Sequence, residues 1–336
     1  MNPAHSQLLR QKLKEAVRSF FSSRAYQEVE TPTLVVCPGT EVHLQYFQTA
    51  WVDHQQKSHE LFLRSSPELH MKQLLAEGMH RIFQIAPCFR NRGEKSLWHH
   101  PEFNMIEWYE TGIDYHAFIK LTADLIQYCG KAMKPILEIC GISPASLPTT
   151  FEKITITEAF KKFAHIDLID SDPNLAQKAV TAGVFSVNEH DDFETAFFKI
   201  LIEKIEPILA TKAGTVLYDY PPSQAALAAV EQGVARRFEF YVGRTELSNG
   251  FKELLGEDDN RKRIAHAMSE RQKHGYSVPS QDEDFYQAMS KKIPECCGNA
   301  LGFDRLLALI CGFEEITTII PFRSARVWSH SLDSPV

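Results

Sequence analysis

The chain has 336 residues, is 44% hydrophobic and carries a formal net charge of −7; that length suggests about two average domains, and the acidic balance argues against a broad nucleic-acid surface, which needs clustered Lys and Arg. No apolar run reaches the ~18 residues of a membrane-spanning helix, and the start, Met1-Asn2-Pro3-Ala4-His5-Ser6, lacks the charged-then-apolar pattern of a secretory signal. The seven cysteines contain no C-x-x-C, so buried reduced thiols and a cytoplasmic location are expected rather than a disulfide frame or a zinc site.

Residues 6–24 predict an amphipathic helix, with Leu9, Leu13, Ala16, Val17, Phe20 and Phe21 at helical spacing and Ser6 as N-cap. Tyr26 to Pro32 then predicts a strand ended by proline. Ser65-Ser66-Pro67-Glu68 opens the next helix, with Pro67 at its first position, a Ser65/Glu68 capping box and Gly78 as C-cap. Arg81–Ala86 reads as a strand. A polar loop bearing Arg90, Asn91, Arg92, Glu94, His99 and His100 follows, and an aromatic strand, Phe103–Tyr109, returns between Pro101 and Gly112. Alternation puts Phe103, Met105, Glu107 and Tyr109 on one strand face. A carboxylate on such a face is costly unless it binds something.

Residues 114–140 predict a helix, 143–148 a connector, and 151–212 two or three further helices whose apolar stripes read as core. Thr215–Tyr220 is a predicted strand closed by Pro221-Pro222. Arg237–Gly243 is another, with Glu239 and Tyr241 on one face and Phe238 and Phe240 on the other. Thr245-Glu246-Leu247-Ser248-Asn249-Gly250-Phe251-Lys252-Glu253-Leu254 follows. Carboxylates brought together as Glu239 and Glu246 repel unless a cation lies between them, and magnesium takes oxygen ligands that bridge to phosphates; a solvated acidic edge is the alternative. Residues 257–275 predict a charged helix with a solvated face. The run Gly298-Asn299-Ala300-Leu301-Gly302 leads into a helix, Phe303–Ile310, that carries Arg305 and ends at Gly312.

Four of these stretches, in order, resemble the class II aminoacyl-tRNA synthetases of the lysine branch. Closer still are the short lysyl-tRNA synthetase paralogues that attach β-lysine to elongation factor P. Val29-Glu30-Thr31-Pro32 resembles motif 1, Arg90-Asn91 with His100-Pro101-Glu102-Phe103 and Glu107-Trp108-Tyr109 motif 2, and Gly302 to Arg305 motif 3, while Glu246-Leu247-Ser248-Asn249-Gly250-Phe251-Lys252-Glu253-Leu254 matches the lysine segment. Tyr220-Pro221-Pro222-Ser223-Gln224-Ala225 is similar to the β-lysine paralogues. The likeness spans roughly residues 15–323.

The resemblance implies an α+β fold: one catalytic domain over 1–336, an antiparallel sheet flanked by helices, with a helical insertion at about 143–212. It implies a homodimer through motif 1. Only about twenty residues precede that motif, too few for an anticodon-binding barrel of roughly 50, so tRNA is not expected as a partner. The implied reaction is ATP-dependent activation of (R)-β-lysine as an acyl-adenylate and its ligation to a lysine of elongation factor P. Arg90 and Arg305 would hold the α- and γ-phosphates, and Glu239 and Glu246 magnesium. Asn91, Arg92, Glu94, His99 or His100, Phe103, Leu247 and Gly302 would border the nucleotide. Ser66, Pro67, Glu68, Glu107, Tyr109, Asn249, Phe251, Glu253 and Ala300 would surround the amino acid. The sequence departs from the synthetases at Arg92, where they have glutamate (a role Glu94 could take), and at Ala300, where they have glycine. A minimal enzyme activating α-lysine, or a silent regulatory paralogue, are the alternatives; the complete set of Arg90, Glu239, Glu246 and Arg305 argues against silence.

Overall fold

A computed structural model describes residues 1–92 and 96–322. Helix α1 (Pro3–Ser22) starts earlier than expected. Asn2, not Ser6, is its N-cap, accepting from Ala4 N at 2.9 Å, and Pro3 suits the first turn because its missing N–H would have no partner there. Ser6 is buried and donates its hydroxyl to Ile319 O. Only Gln27–Glu28 of the expected first strand forms, as β1. Beyond it the carbonyls of Thr31 and Pro32 are taken by the buried Arg64 guanidinium, at 2.8 and 3.1 Å, so they cannot join a ladder. A small three-stranded sheet follows: β2 (Leu34–Val35), β3 (Phe47–Val52) and β4 (Ser58–Leu63), in the order β2-β4-β3. Its signal was absent from the sequence because β3 is exposed along nearly its whole length and carries no apolar alternation.

Helix α2 (Glu68–Ala76) has Pro67 as N-cap, and the expected capping box does not form. Ser65 Oγ donates instead to Pro38 O at 2.8 Å, and Ser66 Oγ accepts from Glu68 N at 3.0 Å. Gly78, at φ +92°, turns the chain out of the helix as expected. Strands β5 (Arg81–Phe89) and β6 (Glu102–Thr111) pair antiparallel around the 90–101 loop, and α3 (Tyr115–Ile139), capped by Asp114, crosses behind them. The next segment starts with a strand that helical periodicity hid, β7 (Glu152–Thr155), because Thr155 and Glu158 form a capping box that begins α4 (Ile156–Ala159) immediately after it. Helices α5 (Leu175–Thr181), α6 (Phe193–Ile200) and α7 (Glu206–Leu209) complete a separate hydrophobic core around Phe160, Phe197 and Ile205.

Strands β8 (Gly214–Tyr220), β9 (Val230–Glu231), β10 (Val234–Val242) and β11 (Thr245–Lys252), helices α8 (Glu257–Lys273) and α9 (Glu283–Met289), strand β12 (Cys296–Gly302) and helix α10 (Phe303–Ile310) end the described fold. The main sheet runs β1-β5-β6-β12-β11-β10-β8-β7, with β9 against β10. It is antiparallel from β5 to β8, but β1 and β7 join it in parallel, so the sheet is mixed at its edges. Neither sheet closes into a barrel among the described residues. Strand alternation divides the two faces. Ile106, Trp108, Phe238 and Phe240 pack in one core with α1, α3 and α10, while Glu107, Tyr109 and Glu239 face away from it. No helix among the described residues is long and apolar enough to cross a membrane, and all seven cysteines are unpaired, most of them buried.

Helix α8 is not only a solvated face. Ile264 and Met268 are buried, and so is Arg271. Its guanidinium donates to the carbonyls of Glu41, Val42, Leu44 and Ser277 at 2.6–3.1 Å, tying the loop before β3 to the helix. Removing a donor that satisfies several buried acceptors costs about 1–3 kcal/mol for each acceptor left bare. Arg271→Met is therefore expected to lower the unfolding free energy by roughly 3 kcal/mol or more, read as a shift of the urea midpoint; an unmoved midpoint would show that water satisfies these carbonyls as well.

Candidate active site

The sheet register lays out the candidate site. Gln84, Glu107, Ala300, Asn249 and Glu239 are direct partners across β5, β6, β12, β11 and β10. Directly paired residues share a face, so these side chains form one row across the sheet. The next row holds Tyr109, Gly298, Phe251 and Arg237. Gly298 must be glycine, because a Cβ there would collide with the Tyr109 ring and Glu253 Oε1.

One end of these rows is acidic. Glu107 is buried and accepts from Ser66 Oγ at 2.8 Å and from Tyr109 OH at 2.6 Å. Burial, then the Glu68 charge, pushes its pKa up to about 8 against those two hydrogen bonds. Glu253 is pushed up to about 7, mainly by burial, with Lys72 opposing. The Lys72 ammonium lies 2.6 Å from Glu68 Oε1 and 2.5 Å from Glu253 Oε2. The second contact is an ion pair rather than an aligned hydrogen bond, since that oxygen has no hydrogen-bond partner. Ala300 packs with Phe103 against Ala86, Cys88 and Met105. Phe251, paired with Gly298, is half-buried, and Pro67 is buried at the start of α2.

Along the strands, toward the start of β6 and the end of β12, the site is basic. The Arg90 guanidinium stands 5.1 Å over the Phe103 ring, its Nε buried without a hydrogen-bond partner. Arg305, in the first turn of α10, donates from Nη1 to Glu246 O at 2.7 Å and from Nε to Trp98 O at 3.3 Å. Its Nη2 lies 2.9 Å from His99 Nε2. Burial, then Arg305 and Arg90, holds His99 down to about 4, so at neutral pH His99 accepts from Arg305 and carries its proton on Nδ1, 2.5 Å from Ser96 Oγ. His100 turns aside to Glu102 O at 2.6 Å. His99 is therefore the histidine brought to Arg305. Asn91 and Arg92 begin the loop, where Asn91 Oδ1 accepts from Arg92 N at 2.9 Å and Arg92 has φ +48°. Glu94 lies outside the described residues.

At the far end of the first row, Glu239 accepts from Arg237 at 2.6 Å, Tyr241 at 3.0 Å and Asn249 at 3.2 Å. Glu246 keeps 41% of its side chain exposed, 4.0 Å from Arg305. Burial of its surroundings and the like charge of Glu239 raise its pKa. The side chain of Leu247 packs into the main core, leaving only its backbone for a ligand, and Gly302 lies beside the Arg305 stem. Among the described residues no group of three or more His, Cys, Asp or Glu is arranged for a metal.

Two participants escaped the sequence reading. Lys72 stands four residues after Glu68 on a helix, the spacing of an ion pair; Arg237 stands two before Glu239 on a strand, hence on the same face. Both signals were present in the spacing.

A buried acidic pocket that meets a pair of arginines across an open antiparallel sheet suits a cationic amino acid and a polyphosphate bound side by side. The chain belongs to the class II tRNA synthetase family (D, K and N), whose model matches residues 3–326. Its curated relatives include elongation factor P–(R)-β-lysine ligases. That of Proteus mirabilis strain HI4320 is 34% identical over 325 residues, 94% of each chain. That of Avibacterium paragallinarum is 35% identical over 320 residues, again 94% of each, and that of Vibrio cholerae serotype O1 is 34% identical over 320 residues.

The raised carboxylates predict a pH dependence. Each loses its proton in the empty site only above its usual range, so they make the empty fold less stable as pH rises from about 4.3 through 8. An ammonium ligand favours the ionised forms, so the affinity for lysine, used as a probe, is expected to climb between about pH 6 and 8 and to fall again near the ligand's own pKa of ~10. Calorimetric titration across that range checks this; a flat profile would mean that neither group titrates on binding.

Proposed function

We propose that this protein activates (R)-β-lysine with ATP and transfers it to a lysine side chain of elongation factor P. The observation that carries the reading is the face of β6, which leads from Phe103, under the Arg90 guanidinium, past Met105 to the buried Glu107 and Tyr109 of the acidic pocket. Its support is the agreement of this layout with the activity for which relatives aligned over 94% of the chain are named.

The substrate ammonium groups sit among Glu68, Glu107, Tyr109, Asn249 and Glu253, with Ser66, Pro67 and Phe251 shaping the pocket. Its carboxylate points toward Arg90. A carboxylate oxygen attacks the α-phosphorus of ATP, the bond to the β-phosphate oxygen breaks, and pyrophosphate leaves. Arg90 and Arg305 neutralise charge that grows on the phosphates, which is the main protein contribution to such transfers. The acceptor amine then attacks the acyl-adenylate carbonyl, and AMP leaves. Phe103 stacks on the adenine. Glu239 and Glu246 fit magnesium, as two hard oxygen donors whose mutual repulsion a cation relieves; it would supply charge neutralisation at the phosphates. We further read the chain as one cytoplasmic catalytic unit, a homodimer joined through α1 and β1, that does not charge tRNA.

Arg305→Ala and Glu246→Gln are each expected to lower β-lysine-dependent pyrophosphate exchange about 100-fold or more without changing the circular dichroism spectrum. Near-normal exchange in either would remove that residue from the mechanism. Ala300 lies beside Glu107 and Asn249 in the row, where its methyl presses on a substrate's α-amino side. Ala300→Gly is expected to move the ratio of kcat/KM values toward α-lysine by about 1–3 kcal/mol. An unchanged ratio in two active enzymes would place discrimination elsewhere, with Ser223 and Gln224 next.

A further inference from the structure

Lys72 does not touch the path of the reaction, yet it is the most deeply placed cation of the pocket. Its side chain and that of Glu253 are each 1% exposed. It stands on α2, facing Glu68 of its own helix, Glu253 just after β11, and the Cys296 thiol of β12. Glu107 and Tyr109 of β6 complete the shell through their electrostatic coupling to Glu68 and Glu253. Around Lys72 the cluster therefore contains three carboxyl groups and one fixed ammonium, and Glu41, which couples to Glu68, is answered by Arg90.

We propose that Lys72 is a resident counter-ion that answers one of the three pocket carboxylates and leaves two to ionise against bound ammonium groups, so that the pocket selects an amino acid bearing two ammonium groups over one bearing a single amine. The inference rests on the functional reading above and names a determinant within it. Burying a charge without a partner is costly. With Lys72 in place, two substrate ammoniums balance the site and a monoamine leaves one carboxylate bare. Lys72 also sets the geometry, since it occupies one side of Glu68 and of Glu253 and leaves the other for substrate. Burial alone works against its charge, but Glu253 and Glu68 more than offset this and raise its pKa, so it stays charged throughout the working range. In return it restrains the pKa of Glu253. Without it Glu253 would hold its proton to higher pH and meet a substrate ammonium less well.

The test measures pyrophosphate exchange with (R)-β-lysine and with 3-aminohexanoic acid, its counterpart without the terminal amine, from about pH 6.5 to 9.5. The proteins are the wild type, Lys72→Met, Lys72→Gln and Lys72→Arg. In the neutral variants the pH limb of KM for β-lysine is expected to move up by about one unit or more, with KM at neutral pH raised about tenfold. The maximal rate should fall less than about threefold, and preference over the monoamine should narrow. Lys72→Arg should keep the wild-type limb. A limb that stays in place in the neutral variants, or a loss confined to kcat, overturns the proposal. So does failure of both neutral variants to fold, by circular dichroism, which would assign Lys72 to structure alone. A wild type that activates no diamino acid would overturn the functional reading and this inference with it, a result unlike any of the others.

Discussion

Burying carboxylates in a sheet is the constraint on which the rest of this structure depends. Glu107, Glu239 and Glu253 are each within 5% of full burial, and an unpaired charge there would be among the costliest features a fold could carry. Each is answered locally. Ser66 and Tyr109 donate to Glu107, Arg237, Tyr241 and Asn249 to Glu239, and Lys72 pairs with Glu253. The donors come from α2 and the turn before it, β6, β10 and β11, so the site depends on the relative placement of those elements. The heavy apolar packing on the opposite face, where Trp108, Phe238 and Phe240 meet α1, α3 and α10, holds that placement.

The same sheet separates two electrostatic tasks. In the acidic pocket α2 brings Glu68 and Lys72 to Glu253, beside Gly298. The arginine end lies against the 90–101 loop, where His99 and the Trp98 carbonyl meet the Arg305 guanidinium. Holding His99 neutral keeps positive charge concentrated on the two arginines, where a polyphosphate would need it. Ala300 and Asn249 stand between Glu107 and Glu239 in the row across the sheet.

Much of the site was legible in the sequence because strand alternation is a strict period. That rule alone places Glu107 with Tyr109, and Glu239 with Tyr241, and the hydrogen bonds join both pairs. The helix of Arg305 also runs over the expected Phe303–Ile310. What the sequence hid were features fixed by tertiary contacts. The Ser65/Glu68 spacing of a capping box was overridden because Ser65 and Ser66 had other partners in Pro38 and Glu107. Arg64 gave no signal and Arg271 lay in a helix expected to be solvated, yet each proved a buried hub that donates to backbone carbonyls no local pattern could show. Strand β7 was too short, and too close to a helix cap, to stand out.

In the proposed function the acidic pocket and the arginine pair act together on one amino acid and deliver it to a protein. Mass spectrometry of elongation factor P, incubated with the enzyme, ATP, magnesium and (R)-β-lysine, tests this most directly. One β-lysyl group is expected on a single lysine of the factor, formed with one AMP and dependent on ATP. An unmodified factor, together with lysine attached to tRNA in a parallel reaction, would contradict it.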